Sequence, residues 1–167
     1  NEILFENTTL KASVKVLKVG EEDNPLKGAE FAIYAKADEK FETPLQTKTT
    51  DASGEVKFEN LEYGDYVVRE TKAPEGYNLE GVDGPLSKEV LVRENGKVYE
   101  VKYSNTKIRG DIKVVKFGEN NDRLKDAEFT IYSKEDKNFE NPLETKATNE
   151  IGEVVFEDYE YGNYVVR

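Results

Sequence analysis

Three polar side chains fall on strand faces where the sequence pattern otherwise places apolar residues. Successive side chains alternate between the two faces of a β-strand, so Lys18 shares the face of the two valines in VKVLK. By the same period, Glu70 shares the face of the tyrosine and the second valine in YVVRE, and Asn105 shares that of both tyrosines in YEVKYSN. An amine, a carboxyl and a carboxamide are therefore predicted at inward-facing positions.

These three groups can react with one another if they are buried together. Burial in an apolar pocket disfavours both charges, which lowers the pKa of Lys18 and raises the pKa of Glu70. The neutral amine is then a nucleophile, Glu70 is its proton shuttle, and the side-chain carbonyl of Asn105 is the target. Loss of ammonia would leave one amide bond between Lys18 and Asn105 in each domain.

Two other interpretations of these residues remain open at this stage. Each of the three polar side chains can be exposed to solvent at the end of its strand. Alternatively, Lys18 and Glu70 form a buried ion pair, and Asn105 is its hydrogen-bond partner.

The composition excludes several other kinds of chemistry. The chain has 167 residues without Cys, His, Met or Trp, which excludes disulfides, thiol nucleophiles and histidine-based sites. No cofactor and no metal are expected, because the acidic turns EEDN and ENND do not match EF-hand spacing. With 35 acidic against 24 basic residues, the net charge of −11 argues against nucleic acid as a partner. No apolar run approaches the roughly 18 residues that span a bilayer, so membrane insertion is not expected.

An internal repeat organises the chain. Residues 12–69 and 110–167 align at an offset of 98 without a gap, and 33 of the 58 positions are identical. The offset predicts residues 1–11 as the last strand of a preceding repeat with its linker, and 12–107 as a complete repeat. Residues 108–167 are predicted to be a second repeat that stops before its last strands. The chain is accordingly expected to be a piece of a longer protein.

The same offset locates two further residues of this chemistry. Lys116 is the second-repeat equivalent of Lys18, and Asn7 is the preceding-repeat equivalent of Asn105. The glutamate and the asparagine that would serve Lys116 fall beyond the last residue of the sequence. We therefore expect no bond at Lys116 and an incompletely folded or incompletely represented second repeat.

Within one repeat the sequence predicts an all-β fold. Apolar and polar residues alternate in short runs, with Phe31 and Ile33 on one face and Ala32 and Tyr34 on the other. Turn-forming sequences such as DASG, EYGD and ENGK separate these runs. About seven short strands at this spacing predict an antiparallel β-sandwich, and the whole chain a tandem of such domains. Only AKADEKF is expected to supply a turn of helix.

The complete repeat resembles a known family in three segments. These are, in order, VKVLKVGEEDNPLKGAEFAIY, TTDASGEVKFENLEYGDYVVRETKAPEGY and VKYSNTK. They look like the B-type repeat domains of the Cna collagen adhesin, and they are similar to the SpaA-type prealbumin-like domains of Gram-positive pilins and surface adhesins. The resemblance implies an Ig-like, prealbumin-like sandwich. It also implies a bond from Lys18 to Asn105, with Glu70 as its catalyst.

The function that this resemblance implies is structural. The chain is expected to be a stalk or spacer repeat of a cell-wall-attached adhesin or pilin, extracellular and on the Gram-positive cell surface, stabilised by a self-made isopeptide bond. Its partners would be neighbouring repeats of the same polypeptide, and it is expected to be a monomer. The alternative is an adhesin module that contacts a host extracellular protein through loops such as EEDNPLKG or LEGVDGPL. An enzyme is not expected beyond the single turnover of bond formation.

Overall fold

The computed structural model describes residues 9–79 and 86–167. The predicted strand that carries Asn7 and most of the loop LEGVDGPL lie outside the described residues. The chain divides into two compact units, Asn1–Lys107 and Ile108–Arg167, which we call unit 1 and unit 2.

Unit 1 is built from two β-sheets. Its strands are β1 (Ala12–Val19), β2 (Glu30–Ala35), β3 (Gln46–Thr49), β4 (Glu55–Leu61), β5 (Gly64–Lys72), β6 (Ser87–Val92) and β7 (Val98–Ser104). One sheet has the strand order β4-β1-β7 and the other has the order β3-β2-β5-β6. The predicted all-β fold is confirmed.

The first and last strands of unit 1 lie side by side. β1 pairs with β4 in antiparallel fashion and with β7 in parallel, where Lys18 is opposite Tyr103. The sequence predicted an antiparallel sandwich, and β1 with β7 is the one parallel pair among the strand pairs of the described residues. Parallel neighbours need a long crossover connection, and here the rest of unit 1 forms that connection.

The core of unit 1 lies between the two sheets. β1 alternates buried and half-buried residues along its whole length, as the sequence predicted. Val14, Val16 and Phe58 are fully buried within a cluster of fourteen buried hydrophobic residues. Each such side chain stabilises the fold by about 1.5–3 kcal/mol relative to an exposed one.

The outer face of the second sheet is also covered, which the alternation did not predict. Ala32, Tyr34 and Val67 are buried although they lie outside the main core. The ring of Phe41 packs edge-on against Tyr34 at 5.2 Å, and the Arg69 guanidinium lies 4.8 Å from the Phe41 ring. The loop between β2 and β3 therefore packs over this face of the sheet.

That loop contains the sequence AKADEKF and forms turns instead of the expected turn of helix. The Asp38 carboxylate accepts hydrogen bonds from the backbone N–H groups of Glu42 and Thr43. This side-chain capping satisfies the backbone locally and competes with helix formation. The short 3₁₀ turn of unit 1 lies at Glu21–Asp23 instead.

Unit 2 repeats part of this arrangement. Its strands are β8 (Arg109–Val115), β9 (Glu128–Ser133), β10 (Glu144–Ala147), β11 (Glu153–Glu160) and β12 (Tyr164–Val166). They form a two-stranded sheet, β11-β8, and a three-stranded sheet, β10-β9-β12. Its buried hydrophobic cluster has three members, Ile131, Val154 and Phe156.

A buried threonine makes the same hydrogen bonds in both units. Thr50 Oγ1 donates to Leu26 O at 2.7 Å and accepts from Ala29 N at 3.1 Å. Thr148 Oγ1 donates to Leu124 O, also at 2.7 Å, and accepts from Ala127 N at 3.0 Å. The two units thus share local hydrogen bonding, although they differ in the number of strands around it.

Candidate functional site

Lys18 closes the buried face of β1 and is 0% exposed. Its backbone N–H donates to Gly54 O at 2.8 Å, and its carbonyl accepts from Leu26 N at 2.9 Å. Gly54 has a φ of +73°, and a Cβ at this position would lie 2.4 Å from Lys18 O. Only glycine lets the DASG turn approach this closely, so the turn fixes the end of the strand that carries Lys18.

Glu70 lies near the end of β5, in the opposite sheet. Its backbone N–H donates to Leu86 O at 3.0 Å, and its residue partner across the sheet is Phe31 in β2. β5 is an inner strand between β2 and β6, and Glu70 faces the interior with 2% of its surface exposed.

Asn105 follows β7 directly and joins the other two residues. Its backbone N–H donates to Val19 O at 3.1 Å, and the same carbonyl accepts the Lys18 Nζ hydrogen bond at 3.1 Å. Its side-chain Nδ2 donates to Glu70 Oε1 at 2.7 Å. The structure therefore brings Lys18, Glu70 and Asn105 together in the interior of unit 1.

Burial shifts the pKa values of Lys18 and Glu70 in the directions that favour the neutral form of each group. Desolvation lowers the pKa of Lys18 from 10.5 to about 8, and the charge of Glu70 opposes this shift only in part. Desolvation also raises the pKa of Glu70, against the opposing effects of Lys18 and of the Asn105 hydrogen bond. Transfer of one proton from the lysine to the glutamate makes both groups neutral at this site.

Within the described part of the chain, the side-chain amide oxygen of Asn105 accepts no hydrogen bond. Among the residues that the structure describes, Asn105 Oδ1 is buried without a hydrogen-bond partner. The two ends of an amide are assigned from their hydrogen bonds, and a protonated carboxyl can donate to an amide oxygen. With the amide turned by 180° and Glu70 protonated, Oδ1 would accept a hydrogen bond from the Glu70 carboxyl. Such a hydrogen bond would polarise the amide carbonyl.

Two aromatic rings border the site, and the sequence reasoning did not assign either of them to it. Phe31 and Tyr103 lie 4.9 Å apart, and Lys88 Nζ lies 4.9 Å from the Tyr103 ring. Tyr103 Oη donates to Val68 O at 2.6 Å. The strand registers explain why these rings lie next to the site. Tyr103 is opposite Lys18, and Phe31 is opposite Glu70.

Lys116 is placed differently from Lys18. Its backbone makes the same two bonds, to Gly152 O at 2.9 Å and from Leu124 N at 3.0 Å. Its side chain is nevertheless exposed. In the described residues β8 pairs with β11 alone, whereas β1 lies between two strands. Asn7 lies outside the described residues, so the structure does not place it.

The described residues contain neither a candidate metal site nor a candidate membrane-spanning helix. Within residues 9–79 and 86–167, no three His, Cys, Asp or Glu side chains are grouped so that they could hold a metal ion. No helix in this part of the chain has the length and apolarity needed to cross a bilayer.

The two-sheet sandwich, its parallel first and last strands and the buried Lys–Glu–Asn cluster define a class of protein, the prealbumin-like β-sandwich repeats. The profile of the SpaA prealbumin-like fold domain matches residues 12–107 and 110–167. The chain therefore belongs to the SpaA family of prealbumin-like fold domains.

Solved structures resemble the chain over nearly its whole length. The TIE protein of Bacillus anthracis is 28% identical, with a TM-score of 0.77, over 95% of this chain and 28% of that one. A streptococcal ancillary pilin is 23% identical, with a TM-score of 0.54, over 95% of this chain and 53% of that one. A variant of BcpA, the major pilin subunit of Bacillus cereus, is 15% identical, with a TM-score of 0.51, over 93% and 87%.

The three matches differ in sequence identity and therefore in what they show about the chain. At below 25% identity the two pilins show a shared fold, and the TIE protein is the more similar of the three in sequence. The chain spans about a quarter of the TIE protein and about half of the ancillary pilin. No curated protein matches the chain significantly in sequence.

Proposed function

We propose that unit 1 cross-links itself through an isopeptide bond between Lys18 and Asn105, with Glu70 as the proton shuttle. The observation that carries this proposal is the burial of all three side chains in one contact network, at 0%, 2% and 2% exposure. A buried lysine with a pKa near 8 beside a glutamate of raised pKa is a nucleophile paired with an acid.

The reaction balances without any further reagent. The neutral Lys18 Nζ attacks Cγ of Asn105, and the electron pair of the carbonyl moves to Oδ1, where the Glu70 proton stabilises it. Nδ2 then takes the proton that Nζ has lost, which Glu70 relays, and leaves as ammonia. One C–N bond breaks, another forms, and Glu70 ends in its initial protonation state. The folded chain holds the groups at a high effective concentration, which replaces an external catalyst.

The bond would stabilise unit 1 by constraining the unfolded chain. It closes a loop of 88 residues, from Lys18 to Asn105. By the loop-entropy relation used for disulfides, such a closure is worth about 4–5 kcal/mol. Unlike a disulfide, the amide bond does not respond to reductants. It thus suits a chain that contains no cysteine.

For the whole chain we propose a structural role, as stalk or spacer repeats of a pilin or adhesin on the Gram-positive cell surface. The SpaA-type domains and the pilin-like folds support this role. The repeats would be extracellular and monomeric, joined to neighbouring repeats of one polypeptide and attached to the cell wall. Chemistry would be limited to one self-modification in unit 1, without turnover of a substrate.

Intact-mass spectrometry tests the bond directly. The purified chain is expected to weigh about 17 Da less than its sequence value, because one ammonia is lost when the lysine attacks the amide. Proteolysis should yield one branched peptide that contains both Lys18 and Asn105. A mass equal to the sequence value, with the two residues in separate peptides, overturns the proposal.

The spacer role has its own test, which does not depend on the bond. Replacement of surface loops such as EEDNPLKG by the equivalent loop of unit 2, ENNDRLKD, should leave cell-surface display and stalk length unchanged. Loss of binding to a host extracellular protein after this exchange would instead favour the ligand-binding alternative.

A further inference from the structure

Tyr103 makes a hydrogen bond that joins the two sheets of unit 1. Its hydroxyl donates to Val68 O at 2.6 Å, and its side chain is 5% exposed. Tyr103 belongs to β7 in one sheet, and Val68 belongs to β5 in the other. A short bond between buried groups of two sheets fixes the distance between those sheets at this point.

The position of this bond relates it to the reacting groups. Tyr103 precedes Asn105 by two residues, and Val68 precedes Glu70 by two residues, so the bond and the contact between Asn105 and Glu70 join the same pair of strands. Tyr103 is also the parallel-strand partner of Lys18. A change in the separation of β7 and β5 would therefore change the distance between the Asn105 amide and the Glu70 carboxyl.

We propose that the Tyr103 hydroxyl is a positioning group for the reaction between Lys18 and Asn105, acting through its bond to Val68 O. This inference rests on the isopeptide bond proposed above. Tyr103 takes no proton and forms no bond with the reacting atoms. It holds β7 against β5 so that the Asn105 amide remains in contact with Glu70.

The ring and the hydroxyl of Tyr103 have separable roles. The ring packs against Phe31 and contributes to the core, as any aromatic side chain of this size would. At the equivalent position 98 residues earlier, the sequence has Phe5, which has the ring without the hydroxyl. The substitution Tyr103→Phe therefore keeps the aromatic packing of the strand and removes only the bond to Val68 O.

Tyr66 offers a matched control in the same unit. Its hydroxyl also donates to a backbone carbonyl, Glu62 O at 2.9 Å, and its side chain is 9% exposed. That bond closes a local turn and does not join the strands that carry Asn105 and Glu70. Tyr66→Phe thus removes a hydrogen bond of the same kind, from a tyrosine hydroxyl to a backbone carbonyl, that does not join the two strands of the reacting groups.

The experiment measures the rate of ammonia loss in refolding chains. Unreacted full-length chain is recovered from inclusion bodies in denaturant, folded by dilution at pH 6 and sampled over time by intact mass. A pH of 6 lies below the Lys18 pKa of about 8, so it favours the protonated amine and slows the chemical step relative to folding. Far-UV circular dichroism follows folding in parallel, and each rate is expressed per folded molecule.

We expect Tyr103→Phe to lose ammonia about 10- to 100-fold more slowly than the wild type, since small misplacements of reacting groups have effects of this size. Tyr66→Phe should react at the wild-type rate, although it also loses a tyrosine hydrogen bond. If Tyr103→Phe folds only partly, refolding is repeated with trimethylamine oxide, which favours the compact state.

The outcomes separate this inference from the proposal beneath it. Equal rates for the wild type and Tyr103→Phe overturn the positioning role and leave the isopeptide bond intact. Equal slowing by Tyr66→Phe also overturns it, because the effect then follows stability and not position. A wild-type chain that never loses ammonia overturns the bond itself and the positioning role with it.

Discussion

Unit 1 and unit 2 carry equivalent lysines with opposite exposure. Lys18 is fully buried, whereas Lys116 is exposed, although the two aligned segments are identical at 33 of 58 positions. The glycine that holds each lysine backbone is also equivalent, with φ of +73° at Gly54 and +68° at Gly152. The local sequence therefore sets the direction of the strand but does not by itself bury the lysine.

The difference between the two lysines lies in their neighbouring strands. β1 pairs with β7 along seven successive residues, and β7 brings Tyr103 and then Asn105 to Lys18. In the described part of unit 2, β8 pairs with β11 alone. The comparison indicates that the burial of Lys18 depends on a strand whose residues lie 85 positions further along the chain than their partners in β1.

The largest expected effect comes from removing the amine of Lys18. Lys18→Met keeps an unbranched side chain of similar size, so it should abolish the mass deficit without a large cavity. Loss of about 4–5 kcal/mol should lower the thermal midpoint of unit 1 by roughly 20–30 °C. Intact mass and differential scanning calorimetry measure the two effects.

Lys116→Met is the matched control for this experiment. It should retain the mass deficit and shift the unfolding of unit 2 by no more than about 2 °C, because the side chain is exposed. A lost mass deficit in Lys116→Met would contradict the assignment of the reaction to unit 1.

The second comparison concerns the two cores. Phe58 and Phe156 are equivalent and both are 0% exposed, but Phe58 lies in a cluster of fourteen buried residues and Phe156 in one of three. Phe58→Ala should cost about 3–5 kcal/mol, and Phe156→Ala less, because a half-open core collapses more easily around the cavity. Hydrogen exchange with mass spectrometry resolves the two units within one chain. Equal costs would show that the cores are equally tight.

A third comparison uses pH to detect a buried lysine that has not reacted. In Asn105→Ala the acceptor is gone, and the Lys18 pKa of about 8 in the folded chain lies below its unfolded value of 10.5. The unfolded chain then binds more protons between these values, so stability rises with pH from about 8 to 10.5, by at most about 1.4 kcal/mol per pH unit.

The double variant Asn105→Ala with Lys18→Met supplies the reference for this pH series. It contains the same surface lysines and tyrosines, so the difference between the two urea-unfolding curves isolates Lys18. The rise in stability should be absent from the double variant. An identical pH dependence of both variants would mean that Lys18 titrates normally in the folded chain.

The smallest expected effect concerns the two glycine turns. A Cβ at Gly54 would meet Lys18 O at 2.4 Å, and a Cβ at Gly152 would meet the Arg123 Cβ at 2.8 Å. Alanine at either position should cost about 1–2 kcal/mol through its positive φ. Only Gly54→Ala should also slow ammonia loss, because it displaces the lysine backbone. Refolding followed by intact mass distinguishes the two, and equal rates would exclude a role for the turn in the reaction.

The alternation of residue types predicted the faces of the site residues, because period two is a local property of a strand. It placed Lys18 with Val14 and Val16, and the structure buries all three side chains. The sequence also predicted about seven strands for the complete repeat, and the described residues of unit 1 form seven. These features depend on neighbours within one strand or on the turns between strands.

The features that the sequence did not predict depend on distant parts of the chain. The parallel pairing of β1 with β7 and the bond from Tyr103 to Val68 join residues that are far apart in sequence. The burial of Tyr34 on the outer face depends on a loop that returns over the sheet and packs Phe41 against it. No local period encodes such contacts, since they follow from how whole strands and loops are arranged.

The parallel pairing of β1 with β7 has a consequence for the time course of folding. Contacts between residues this far apart in sequence form slowly, because the chain must first close a long loop. β1 can pair with β4 earlier, but its parallel pairing requires β7, which is synthesised after the other described strands of unit 1. The Asn105 amide cannot reach Lys18 before that pairing forms. The cross-link would therefore form only in molecules whose unit 1 has folded completely, and the amount of ammonia released would equal the number of folded units.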